Sequence, residues 1–409
     1  MDKTLHSPRP HGVFTAIPAK AEAHRALLAA ALADAPTRIL CPVSNDDIDA
    51  TVRSLCALGA RITADDEGFS VEPLPDYSTG AVLDCGESGS TLRFLLPVAA
   101  AVCSDAAFIR RGRLAARPLD ALCTALAAHG VQIVPGEPLR TKGLLTGGAF
   151  TLPGNISSQF ASGILFALPR VGGTLTLTGK IESRPYIAMT VRTLRQFGIG
   201  VEEKGDVFTV PRQKPRSPGV LRVGGDWSDA AFFLAMGVLG KEPVAVAGLA
   251  PDSPQGDRAI VDILQTMGAK LVQKDGIVTA YPSALHGTEI DAADVPDLVP
   301  VLAVAAPAAA GETRIYNAAR LRLKESDRLA SVCALLTALG GRCSATDDGL
   351  LLTGAPLQGG TVCSCHDHRI AMSAAVAAVL CTEPVTVRDA QAVQKSHPAF
   401  WEDYRRLCI

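Results

Sequence analysis

The chain carries almost no net charge: 41 acidic residues stand against 39 basic ones in 409, a formal balance of −2. Nucleic-acid binders usually show a basic excess, so none is expected as a partner. Charged residues at 20% and apolar ones at 48% also exclude a disordered chain. Long hydrophobic runs are missing. The longest, Leu298 to Ala310, has 13 residues and contains two prolines, short of the ~20 that span a bilayer, so no membrane partner is expected either. The amino terminus, MDKTLHSPRPHGVF, places prolines and charges where a signal peptide carries its apolar core, which predicts no targeting segment. Eleven cysteines, an odd number at irregular spacing, indicate reduced thiols in a cytoplasmic protein.

What is present is a repeat. Leu-x-x-x-Gly followed by alternating apolar residues begins at Leu55 (LCALGARI), Leu126 (LAAHGVQI), Leu194 (LRQFGIGV), Leu264 (LQTMGAKL) and Leu336 (LTALGGRC), at spacings of 71, 68, 70 and 72 residues. One further step reaches Leu407, at the end of the helix-like FWEDYRRL, so the chain reads as six units of roughly 70 residues. TVRSLCALG and AIVDILQTMG read as amphipathic helices that end at a C-cap glycine and run into a strand. TLTLTG and VFTVP alternate as strands do. Each unit holds a second helix that is apolar nearly all round and hence buried: AEAHRALLAAALA from Ala21, SGSTLRFLLPVAA from Ser88, SSQFASGILFALP from Ser157, SDAAFFLAMGVL from Ser228, VPDLVPVLAVAA from Val295 and DHRIAMSAAVAAVL from Asp367. Repeats of this length are whole supersecondary units, three of which can enclose a core. The Pro/Gly/basic-rich QKPRSPGVLRVGG, residues 213–225, divides them three against three. Two similar α/β domains follow.

A buried helix that starts with polar residues presents open N–H groups and partial positive charge to anions. Three of the six starts add hydroxyl, amide or cationic side chains: Ser88, Ser90 and Arg93; Ser157, Ser158 and Gln159; His368 and Arg369. Capping alone accounts for any one of them; their recurrence at equivalent places points to function. The densest charged motif is RLRLKESDR, Arg320 to Arg328, at a predicted helix start. There Lys324, Glu325 and Arg328 would share a helical face, with Arg320 one turn before Lys324. CSCHDHR, from Cys363, contains zinc-ligand residue types but lacks a second distant pair. Its cysteines are read as strand or loop thiols, with no metal.

CGESGSTLRF, ARP at Ala116, SSQF, SRPYI at Ser183, PQGD at Pro254, VPD, LKESDR, DHRIAM and QKSHP at Gln394 together, in this order from about Ala19 to Lys395, resemble the 5-enolpyruvylshikimate-3-phosphate synthase family of enolpyruvyl transferases. The resemblance implies a two-domain inside-out α/β barrel of six βαβαββ-type repeats, three per domain, with helix amino termini facing the interdomain cleft. It implies domains at 19–222 and at 1–18 plus 223–409, with hinges near Pro18 and Val223. The implied reaction moves the enolpyruvyl group of phosphoenolpyruvate to the 5-hydroxyl of shikimate 3-phosphate and releases phosphate, without metal or organic cofactor, in a cytoplasmic monomer.

By matching position, the resemblance assigns Lys20, Arg25, Ser157, Ser158, Gln159, Ser183, Asp297 and Lys324 to shikimate 3-phosphate. It assigns Lys20, Gly89, Arg117, Gln159, Arg328, Arg369 and Lys395 to phosphoenolpyruvate, and Tyr186 to the loop on the phosphate side. Asp297 is the expected base, and Glu325, with Lys20 as rival, the expected proton donor. Both substrates carry a phosphate and a carboxylate, which must be gathered by cations. Lys20, Arg25, Arg93, Arg117, Lys324, Arg328, Arg369 and Lys395 supply them, which leaves the opposing acid expected on the exterior. Ala21 stands where the family commonly has Ser, Glu87 where Asn is common, and Arg320 where some members have Asn. Alternatives are the sister transferase acting on UDP-N-acetylglucosamine, whose reactive cysteine is absent from RRGRLAARP (110–118), and a non-catalytic scaffold of the same fold.

Overall fold

A computed structural model of the chain describes residues 1–408. The chain forms two compact units, Pro18–Val223 and Met1–Ile17 joined by the chain from Gly224 onward. Each has its own apolar core, built on Phe94, Phe160 and Phe166 in the first and on Trp227, Phe232 and Phe233 in the second.

One repeat shows how the others are built. Strand Ala81–Asp84 leads into the buried helix Gly89–Val102 and then strand Asp105–Ile109, parallel to the first, with Leu83 opposite Phe108. A 3-10 turn, Gly112–Ala116, and the amphipathic helix Asp120–Ala127 follow. The hairpin Gln132–Val134 and Leu139–Lys142 then returns antiparallel to the second strand. The same four-strand order recurs in the sheet containing Gly148–Pro153 and in the one containing Glu289–Asp291.

The remaining sheets are closed by strands from elsewhere in the chain. Val220–Arg222 pairs parallel with Thr37–Leu40, and Gly12–Thr15 pairs parallel with Val244–Ala247. Lys3–Leu5 pairs antiparallel with Val385–Arg388, completing the last repeat. The first residues are thereby hydrogen-bonded into the unit that also holds the end of the chain. All five Leu-x-x-x-Gly glycines take left-handed φ values, +108° at Gly59, +90° at Gly130, +72° at Gly198, +99° at Gly268 and +85° at Gly340. Glycine adopts that conformation without a Cβ penalty, which stops the helix and turns the chain into the hairpin.

Three expectations need correction. Arg320 to Arg328 is not one helical face: a 3-10 turn covers Ala319–Leu323, Lys324 is extended, and the α-helix begins only at Arg328. Asp327 sets that start, because its carboxylate accepts the Ala330 N–H as an N-cap. The thiols are not all reduced: Cys333 and Cys343, with Cα atoms 5.2 Å apart, form a disulfide between helix Arg328–Ala338 and strand Arg342–Ala345. Ten residues spanning a helix–Gly–strand turn bring them together, a pairing that spacing alone conceals. Finally, acid is not confined to the exterior, since carboxylates stand among the motif cations in both units.

Candidate active-site residues

In the Pro18–Val223 unit three buried helices start at Lys20, Gly89 and Ser158. Lys20 opens its helix and pairs with Asp47 at 2.9 Å. The Thr91 hydroxyl lies 3.4 Å from the Asp47 carbonyl oxygen and 2.8 Å from the hydroxyl of the N-cap Ser88. Ser157 caps the third helix by accepting the Gln159 N–H. Gln159 bridges to the second helix: its Oε1 accepts from Arg93 at 2.7 Å and its Nε2 donates to Ser90 at 2.9 Å. Gly163 sets that spacing, because a Cβ there would lie 2.3 Å from the Arg93 carbonyl oxygen. Gly89 likewise admits the Arg117 guanidinium, whose Nη1 would be 2.8 Å from a Cβ. Ser183 is buried with φ +56° and precedes helix Arg184–Gln196.

Arg25 is the most enclosed of these cations. It donates to Thr190, the Ala21 carbonyl, Ser162 and the Tyr186 carbonyl, and lies 5.0 Å over the Phe94 ring. Burial lowers its pKa to about 10, against the opposing influence of Tyr186 and Glu22. Ala21, the position lacking a hydroxyl, thus takes part through its carbonyl oxygen.

The other unit gathers its residues around Asp297, in the turn before helix Val299–Ala305. Arg328 donates to Asp297 Oδ1 at 2.8 Å and Arg369 to Oδ2 at 3.2 Å, while the Lys324 ammonium is 3.7 Å away. Arg328 also binds Glu325 at 2.9 Å and Asp367 at 2.8 Å. Arg369 donates further to Ser228 and to the Asp297 carbonyl. Lys395 is buried at the end of the 3-10 turn Ala390–Lys395.

Electrostatics follow from this packing. Burial alone would raise the Asp297 pKa, but Arg369, Lys324 and Arg328 hold it well below the ordinary carboxylate value. Burial lowers Lys324 to about 8, assisted by Arg328 and Arg320 and opposed by Asp297 and Glu325. Arg328 is driven the other way: burial is outweighed by Asp367, Glu325 and Asp297, which raise it. Asp297 is therefore an anion at neutral pH, beside a lysine whose pKa lies at about 8.

An EPSP synthase (3-phosphoshikimate 1-carboxyvinyltransferase) family model matches residues 11–404. The chain belongs to the EPSP synthase family. It is 37% identical to 3-phosphoshikimate 1-carboxyvinyltransferase of Clostridium novyi over 97% of this chain and 95% of that one. Identity is 40% to the same-named protein of Clostridium acetobutylicum, over 95% and 93%. The EPSP synthase structure from Acinetobacter baumannii superposes with a TM-score of 0.82 at 27% identity, covering 100% of this chain and 98% of that one.

Within this EPSP synthase family member, two residues absent from the sequence-based assignment join its motif residues. Asp47 holds Lys20, and Asp367 is a fully buried N-cap that binds both Ser326 and Arg328. Asp367 had a local signal, an Asp immediately before a buried helix, but its distant arginine did not. Among the described residues no group of three or more His, Cys, Asp or Glu side chains could hold a metal ion, and no helix is long and apolar enough to cross a membrane.

Proposed function

We propose that both clusters serve one reaction, the family's enolpyruvyl transfer from phosphoenolpyruvate to the 5-hydroxyl of shikimate 3-phosphate. Enolpyruvyl transfer in the shikimate pathway is the reaction of the family to which the chain belongs; the residue roles below are our own reading. Asp297 supports it best: it is an anion held among Arg328, Arg369 and Lys324. It would accept the 5-hydroxyl proton as the oxygen attacks the enol carbon. Glu325, or Lys20 as the alternative, would protonate the methylene carbon, giving a tetrahedral ketal phosphate. Loss of a proton from the new methyl group and departure of phosphate then regenerate the enol ether.

In this reading Lys20, Arg25, Ser157, Ser158, Gln159, Ser183, Asp297 and Lys324 hold shikimate 3-phosphate. Lys20, Gly89, Arg117, Gln159, Arg328, Arg369 and Lys395 hold phosphoenolpyruvate. Ligand anions would exchange with protein carboxylates such as Glu325 at cations already gathered, keeping the charge count nearly even. The scheme needs no metal or organic cofactor. The inside-out α/β barrel of each unit, the monomeric state and the cytoplasmic location belong to the same proposal.

The reaction run in deuterated water tests the addition–elimination course. Protonation at carbon followed by loss from a methyl group puts deuterium into the vinyl group of the product, read by mass spectrometry. Product free of vinyl deuterium, formed at the normal rate, rules the scheme out.

A further inference from the structure

The three buried helices of the Pro18–Val223 unit carry candidate active-site residues at their amino ends, and their other ends converge on a cavity. It has a volume of about 340 Å³, and its walls include Leu32, Leu74, Val102, Phe166 and Pro169. Leu32 follows helix Lys20–Ala31, Val102 ends Gly89–Val102, and Phe166 and Pro169 lie late in Ser158–Val171. Helices of 12 and 14 residues separate this cavity from the helix starts by roughly 20 Å at 1.5 Å per residue. It is therefore distinct from the candidate catalytic residues.

The lining has a definite polarity. Its apolar walls are capped by a rim of Arg170, Arg212 and Lys214 against the single carboxylate of Asp76. Asp76 is shared, 2.9 Å from Arg170 and 3.8 Å from Lys214. Helix carboxyl ends bring partial negative charge, and at each of the three ends one terminal carbonyl is turned to a backbone N–H rather than to the cavity. Ala31 O accepts from Leu74 N, Val102 O from Ser78 N, and Pro169 O from Gln213 N. What the cavity offers a ligand is thus an apolar body site with a net cationic mouth. Its volume lies at the lower end of the ~300–1,000 Å³ typical of small-molecule sites.

We propose that this cavity is a second binding site for a small organic acid with an apolar body, its carboxylate held by Arg212 and Lys214 at the rim. Arg212 is exposed and Lys214 lies on the same rim segment, so both reach a ligand without disturbing the core.

Calorimetric titration of the full chain with 3-phenylpropionate tests this, with 3-phenylpropanamide as the neutral control. The expected result is saturable binding with a Kd on the order of 1 mM. Arg212→Ala with Lys214→Ala should weaken it about tenfold or more, as should replacing the acid by the amide. Leu74→Trp, which fills the cavity from its half-buried wall, should abolish it while the thermal midpoint stays near that of the parent. Absence of saturable binding up to about 10 mM overturns the proposal. So does saturable binding that is indifferent to the rim substitutions or to Leu74→Trp, since the acid would then sit elsewhere.

Discussion

Asp297→Asn removes one negative charge while keeping the side chain's size. In the parent the carboxylate takes bonds from Arg328 at 2.8 Å and Arg369 at 3.2 Å and stands 3.7 Å from Lys324. An amide cannot accept the 5-hydroxyl proton, so turnover should fall by about 10³-fold, equivalent to ~4 kcal/mol in the barrier. Breaking buried pairs costs up to ~3–5 kcal/mol, but Glu325 and Asp367 still neutralise Arg328, so a loss near ~3 kcal/mol in stability is expected. A second consequence has a fixed sign. Asp297 raises the Lys324 pKa, so its loss should take Lys324 below its present value of about 8 and move the pH dependence of shikimate 3-phosphate binding to lower pH. Continuous phosphate-release kinetics give kcat, and calorimetry across pH gives binding. A folded Asp297→Asn protein with kcat within tenfold of the parent would refute the assignment of the base.

Arg328→Met should lower the urea midpoint by the equivalent of about 3–5 kcal/mol, because Asp297, Glu325 and Asp367 would be left without their shared cation; an unchanged midpoint contradicts this. Gly89→Ala, which puts a methyl group 2.8 Å from Arg117 Nη1, should raise the KM for phosphoenolpyruvate about tenfold while changing stability by less than ~1 kcal/mol, and an unaltered KM shows that Arg117 does not serve that ligand. His397 lies buried between Asp229 and Asp403, each 3.0 Å away; burial opposes its charge, but these carboxylates raise its pKa from 6.5 to about 9. Its contribution to stability is therefore complete below pH ~6.5 and lost as pH rises through ~9. Thermal melts from pH 6 to 10 should show this decline, and His397→Gln should flatten it.

Most of the fold was legible because its signals are local. Leu-x-x-x-Gly marks a helix end in each of five repeats through one left-handed glycine, and an all-apolar helix can only be buried. Local motifs name the candidate cations, but two of the carboxylates that pair with them escape such a reading. Asp47 and Asp367 act on Lys20 and on Arg328 from distant parts of the chain, and no spacing rule joins such pairs. Balanced composition suggested separation of charge, whereas buried Arg328 is flanked by Asp297, Glu325 and Asp367. The helix at Arg320 to Arg328 failed because a single cap at Asp327 outweighs a favourable charge spacing.

Steady-state phosphate release from phosphoenolpyruvate tests the central claim most directly. Release should require shikimate 3-phosphate and be negligible with UDP-N-acetylglucosamine in its place. No release with shikimate 3-phosphate, or comparable release with the nucleotide sugar, would contradict the account.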